Sequence, residues 1–164
     1  MEFEGALPRA KLFANWRQGV ADPDALQILA SPGFDPHQQI ILAEQGLPEP
    51  DQPAQTSQLD PVEYIANRAK YIELKTPPTE IHTVLLLNDR HNPDWQVTID
   101  GQPANLLRAN FLMRAVALPP SKDGHTVVFR YLPSNRPMAF SGAAGLAGLL
   151  FGFIGCWRFR KDDA

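Results

Sequence analysis

Asp89, His91, Asp94 and Asp100 fall within one short stretch of the chain, with His82 before it and His125 after it. Carboxylates and imidazoles in such proximity are the residue types that bind a divalent metal or share a proton in acid–base work. The same stretch holds Asn92 and Pro93, which are ordinary turn formers, and Asp100 stands before Gly101 in a hairpin dipeptide. A solvated turn is the better reading of these residues. The chain has no His-Glu-x-x-His pair, no phosphate-cradling glycine loop and no Gly-x-Ser-x-Gly elbow. No catalytic residue, metal ligand or cofactor is therefore expected. Trp95, Phe111, Phe129 and Tyr131 could line a sugar-binding face, but packing in a β core is the better reading of them.

The elements that would position these residues are mostly strands. Residues 11–17 mix apolar and polar types and predict a strand. Asp22-Pro23 supplies a helix N-cap and a proline at the first helical position. Leu26, Leu29 and Ala30 follow at helical spacing, and Ser31-Pro32-Gly33 ends the helix. Residues 39–43 predict a brief apolar strand. Four prolines, Pro48, Pro50, Pro53 and Pro61, mark 46–61 as a linker. Beyond it, 63–74 predicts one bent strand or two, and the apolar run 81–87 a central strand buried on both faces. Trp95, Val97 and Ile99 alternate with polar residues up to the Asp100-Gly101 turn. Strands over 104–109, 111–118 and 125–132 follow, with Val127, Phe129 and Tyr131 on one face of the last. This spacing of short strands predicts a mainly β chain built as an antiparallel β-sandwich with a short N-terminal helix.

Residues 138–157, MAFSGAAGLAGLLFGFIGCW, contain no charged side chain. At about 1.5 Å per residue a run of this length reaches roughly 30 Å, the thickness of a bilayer's hydrocarbon core. It predicts one transmembrane helix, since only a helix satisfies the backbone of a single span in lipid. Ser141, Gly145, Gly148, Gly152 and Gly155 are spaced by four, three, four and three residues. That 3.5-residue period keeps them on one stripe, with Gly148 and Gly152 forming a Gly-x-x-x-Gly unit, and predicts docking against other transmembrane helices. Trp157, Arg158, Arg160 and Lys161 form an interfacial aromatic and a cationic flank. By the positive-inside tendency that end is cytoplasmic and the preceding domain extracytoplasmic.

Composition bounds the rest. Residues 1–137 suffice for one domain with its own core. With 20% charged and 44% hydrophobic residues, the chain is neither disordered nor wholly membrane-embedded. A net charge of −3 and a pI near 5.8 argue against a nucleic-acid partner. The only cysteine, Cys156, lies in the apolar run, so no disulfide framework or zinc cluster is expected. The start, MEFEGALPRAKLF, lacks the cationic and apolar stretches of a signal peptide. The chain is then a piece of a larger membrane protein, begins further upstream, or is tail-anchored with its domain in the cytoplasm, which the cationic tail disfavours.

An ordered set of motifs resembles a known family. Pro93 and Trp95, Asp100-Gly101, Ala109-Asn110-Phe111, Gly124-His125, and Phe129, Tyr131 and Pro133 follow the order seen in the C-terminal extracytoplasmic domain of bacterial YfhO-like membrane proteins. ALPRA at residues 6–10 and ASPGFDP at residues 30–36 match upstream. The loop 90–94 departs from the family's aromatic-rich, glycine-containing version. The resemblance implies the fold, the side of the membrane and a helix directly after the domain. Full-length relatives are polytopic and glycosyltransferase-like, with chemistry expected in their many-helix portion, so catalysis is not carried over.

These readings divide the chain into an N-terminal strand-helix-strand segment (1–45), a linker (46–61), a sandwich body (62–135), the membrane helix (138–157) and a polar tail (158–164). The leading expectation is a non-catalytic accessory subunit in a bacterial inner membrane. Its partners would be the lipid bilayer and the helices of a larger complex. The alternative is a glycan- or lipid-linked-sugar-binding domain of a YfhO-like glycosyltransferase.

Overall fold

A computed structural model describes residues 6–50 and 59–133. The apolar run 138–157 and the tail 158–164 lie outside the described residues. With them lie the stripe residues Ser141, Gly145, Gly148, Gly152 and Gly155 and the flank residues Trp157, Arg158, Arg160 and Lys161. Among the described residues no helix is long and apolar enough to cross a membrane.

The described chain is mainly β, with one short helix. In order it forms β1 (Ala10–Phe13), β2 (Trp16–Arg17), α1 (Asp22–Leu29), β3 (Ile40–Ile41), β4 (Glu63–Arg68), β5 (Tyr71–Lys75), β6 (Thr83–Arg90), β7 (Trp95–Ile99), β8 (Gln102–Ala104), β9 (Leu107–Ala109), β10 (Met113–Leu118) and β11 (Thr126–Tyr131). A four-stranded sheet runs β1-β6-β10-β9 and a five-stranded sheet runs β4-β5-β11-β7-β8; every pairing within them is antiparallel. A small parallel pair, β2 with β3, departs from the all-antiparallel expectation.

Strand alternation explains the core. Leu85 and Leu87 of β6, with Leu12, Val116 and Leu118, pack against Ile72, Leu74, Val97, Val127 and Phe129 of the other sheet. The alternate residues of β6, Val84 and Leu86, face away and pack with Phe13, Trp16, Ile40, Leu42, Leu107 and Ala115. Thr83 to Leu87 are all buried, so β6 is the doubly covered strand that its apolar run predicts. Among the described residues the five-stranded sheet is covered on one face only. Its outer positions, including Tyr71, Glu73, Lys75 and Arg130, are half-buried or exposed.

Three local expectations change. The stretch 11–17 divides into β1 and β2, and β1 pairs with β6, so segment 1–45 and body 62–135 share a sheet. The helix cap is Ala21 in extended conformation, making no side-chain cap bond, with Asp22 already helical. Asp22 is instead drawn to Arg108, whose Nη2 donates to it at 2.6 Å. The stretch 104–109 also divides: β8 belongs to the five-stranded sheet and β9 to the four-stranded one, because the chain crosses between layers at Asn105 and Leu106. Residues 63–74 resolve into two strands, the β4–β5 hairpin.

Candidate functional site

Asp89 lies near the end of β6, where the register with β10 shifts between Met113 and Arg114. Its carboxylate meets three donor nitrogens from two arginines. Arg9 Nε and Nη2 donate to its two oxygens at 3.0 and 2.9 Å, a bidentate fork, and Arg114 Nη2 donates at 2.6 Å. Arg9 Nη1 also donates to Asn67 Oδ1 of β4, at 3.0 Å, which ties the two sheets together.

Arg114 is the unusual member. Its side chain is 4% exposed, and its guanidinium carbon lies 3.8 Å from the centre of the Trp95 ring and 5.9 Å from that of Phe129. Its Nε and Nη1 are buried with no hydrogen-bond partner among the described residues. The ring faces supply part of the missing stabilisation, since their negative quadrupole attracts a cation. Burial pushes the Arg114 guanidinium below its ordinary range, partly offset by the bond to Asp89. Burial also works to raise the Asp89 carboxyl, but the two guanidinium bonds outweigh it and hold it below the usual carboxylate range.

Asp100 belongs to a second cluster. Asp100 and Gly101 have φ of 50° and 81° between β7 and β8, two consecutive left-handed residues as a tight hairpin requires. One Asp100 oxygen accepts the Thr126 N–H at 2.8 Å, and the other lies 2.6 Å from His125 Nδ1. His125 Nε2 lies 3.0 Å from the Pro119 carbonyl. The bonds from His125 and then Thr126 hold the Asp100 carboxyl below its ordinary range. Gly124, next to His125, lets the chain run close against Thr76. At φ 69°, a Cβ there would come within 2.0 Å of the Thr76 carbonyl.

The remaining sequence candidates have separate places. The His91 N–H donates to the Leu112 carbonyl at 2.7 Å, and burial lowers the affinity of its half-buried ring for a proton. The Asp94 N–H donates to Asn92 Oδ1 at 2.8 Å, while its carbonyl accepts from Leu132. His82 borders an apolar cleft of about 240 Å³ with Trp16, Leu47, Pro48, Leu118 and Pro119. Among the described residues no group of three or more His, Cys, Asp or Glu is gathered as a metal site. Phe129 is fully buried, and Trp95, Phe111 and Tyr131 are half-buried, with Trp95 and Tyr131 rings 5.5 Å apart.

Sequence reasoning missed the basic half of the first cluster. The signal was Arg114 itself, a lone cation inside the apolar run 111–118. It also missed Asn110, whose Oδ1 accepts the Ile41 N–H at 3.0 Å and joins β9 to β3. What these groups can do is hold strands and turns together. No protein-family model, no curated protein and no solved structure matches the chain.

Proposed function

We propose that the chain is a non-catalytic, single-pass membrane protein that serves as an accessory or structural subunit of a larger assembly in a bacterial inner membrane. The sandwich lies on the extracytoplasmic side, the C-terminus is cytoplasmic, and the glycine stripe of residues 138–157 docks against partner helices. The observation that carries this reading is the commitment of the candidate chemical groups to the fold. Asp89 is held by Arg9 and Arg114, and Asp100 by His125 and the Thr126 N–H. Groups so engaged support a structural role. Purification from native membranes in mild detergent tests the proposal. Specific chains should co-migrate with this one, and its migration with no other protein would overturn the reading.

A second reading is a glycan- or lipid-linked-sugar-binding domain, as the YfhO-like resemblance implies. It is favoured by a cleft of about 360 Å³ on the open face of the five-stranded sheet, bordered by Tyr71, Gln96, Thr98 and Arg130. An aromatic ring beside hydrogen-bonding side chains is a surface that a sugar ring can stack on. Oligosaccharide titration followed by intrinsic fluorescence should show saturable binding, lost in Tyr71→Ala. A flat titration would dismiss this reading and leave the first intact.

A further inference from the structure

The two sheets expose four edges, and three of them are short or obstructed. β8 is three residues long and contains Pro103, which has no N–H to offer. β9 is three residues long and is backed by a bridge between Leu42 and Ala109. Beside β1, Lys11 Nζ donates to the His37 carbonyl at 2.6 Å, and Leu59 to Val62 form the wall of a groove. The fourth edge, β4, is six residues long, and among the described residues its backbone ladder is with β5 alone. All of its residues except Ala66 are exposed, including Tyr64 at 36% and Ile65 at 54%. A long uncovered edge is a template for another strand.

The register of β4 selects which strand. Glu63 lies opposite Lys75 and Arg68 opposite Tyr71, with a bulge between Tyr64 and Ala66. Lys75 and Tyr71 alternate with the buried Leu74 and Ile72, so they share the outer face of the sheet. Glu63 and Arg68 therefore share that face as well. In a regular strand, residues separated by this odd spacing would point to opposite faces; the extra residue at Ile65 removes the mismatch.

We propose that β4 pairs antiparallel with β4 of a second copy about a two-fold axis, joining the two five-stranded sheets. In that register Glu63 faces Arg68 of the other copy at both ends of the seam, and Tyr64 faces Asn67. The two bulges meet at the centre. A bulge and charges are also devices that keep an edge unpaired. Here the charges stand in complementary order on one face, which a purely protective edge does not need.

The test is the protein mass of the full chain in detergent, measured by sedimentation. The wild type should sediment as two chains. Glu63→Arg and Arg68→Glu each set like charges opposite one another twice and should weaken the dimer by about tenfold. The double swap restores opposite charges and should bring dimerisation back to within about twofold of wild type. A single-chain mass for the wild type would overturn the proposal, as would a swap as weak as the single reversals. A dimer that ignores both reversals and is lost in Gly148→Leu/Gly152→Leu would also overturn it, because the membrane helix would then be the contact. If a reversal fails to fold by circular dichroism, Ile65→Cys in a Cys156→Ser background replaces it. That folded variant should cross-link to a covalent dimer on mild oxidation, and failure to do so counts against the proposal.

Discussion

Asp89 and Asp100 carry the same side chain, and both carboxyls are held below their ordinary range, but they sit in opposite kinds of surroundings. Asp89 answers a cation whose side chain is 4% exposed, packed against Trp95 near the sandwich core. Asp100 is 52% exposed and closes a hairpin at the surface, where its partner His125 is 9% exposed. Water can take over much of what Asp100 does. Arg114 is far less open to water, and among the described residues its Nε and Nη1 have no hydrogen-bond partner to fall back on. Identical chemistry is therefore expected to carry unequal weight in the two places.

The largest effect should come from Asp89→Ala, which strands the Arg114 charge. A loss of about 3–5 kcal/mol in urea unfolding is expected, as for a buried pair broken from one side. Replacing the pair together, Asp89→Leu with Arg114→Met, should recover most of it. Recovery failing would mean that Asp89 acts through Arg9 and Asn67 rather than through Arg114. Next comes Gly124→Ala. A left-handed φ and a carbonyl in the way should cost about 2 kcal/mol or more, read as a fall in the urea midpoint. Asp100→Ala should cost less, about 1 kcal/mol, because the carboxylate it removes is already half in water. Near equality of the two aspartate variants would break the comparison.

Acid should weaken both clusters. Each carboxyl has a folded-state pKa below its unfolded value, so its contribution is fully present above about pH 4 and is lost as pH falls through the folded value. His91 is shifted down by burial, so its contribution is present above about pH 6.5 and begins to be lost below that. An unfolding series across pH should therefore show a shallow first decline, removed in His91→Gln, and a steeper one at lower pH, reduced most in Asp89→Asn.

Much of the fold is legible in the chain because its signals are local. The apolar run 81–87 predicts a strand covered on both faces, and Thr83 to Leu87 are buried in β6, while Asp100-Gly101 between alternating strands predicts the tight turn found there. Val127 and Phe129 fall on the buried face that alternation assigns them. Pairing across long separations is not legible in this way. Nothing near Arg9 reveals that it meets Asp89, or that Asn110 will accept from Ile41. Asp22 looks like a helix cap because its neighbours have cap chemistry, yet a distant arginine claims it. The crossing between β8 and β9 hides for a similar reason, since the side-chain pattern continues while the backbone changes sheets. The candidate site was thus partly visible: its acids and His125 stood out, and the arginines that meet Asp89 did not.

The central claim is that the conspicuous acids, Asp89 above all, are engaged in holding the sandwich. A double-mutant cycle on Asp89 and Arg114 tests it most directly, using urea unfolding of the wild type, Asp89→Ala, Arg114→Ala and the double variant. The account predicts strong coupling, about 2 kcal/mol, with the double variant more stable than the sum of the single losses implies. Additive losses, each well under 1 kcal/mol, would show that Asp89 is free of Arg114 and would contradict the account.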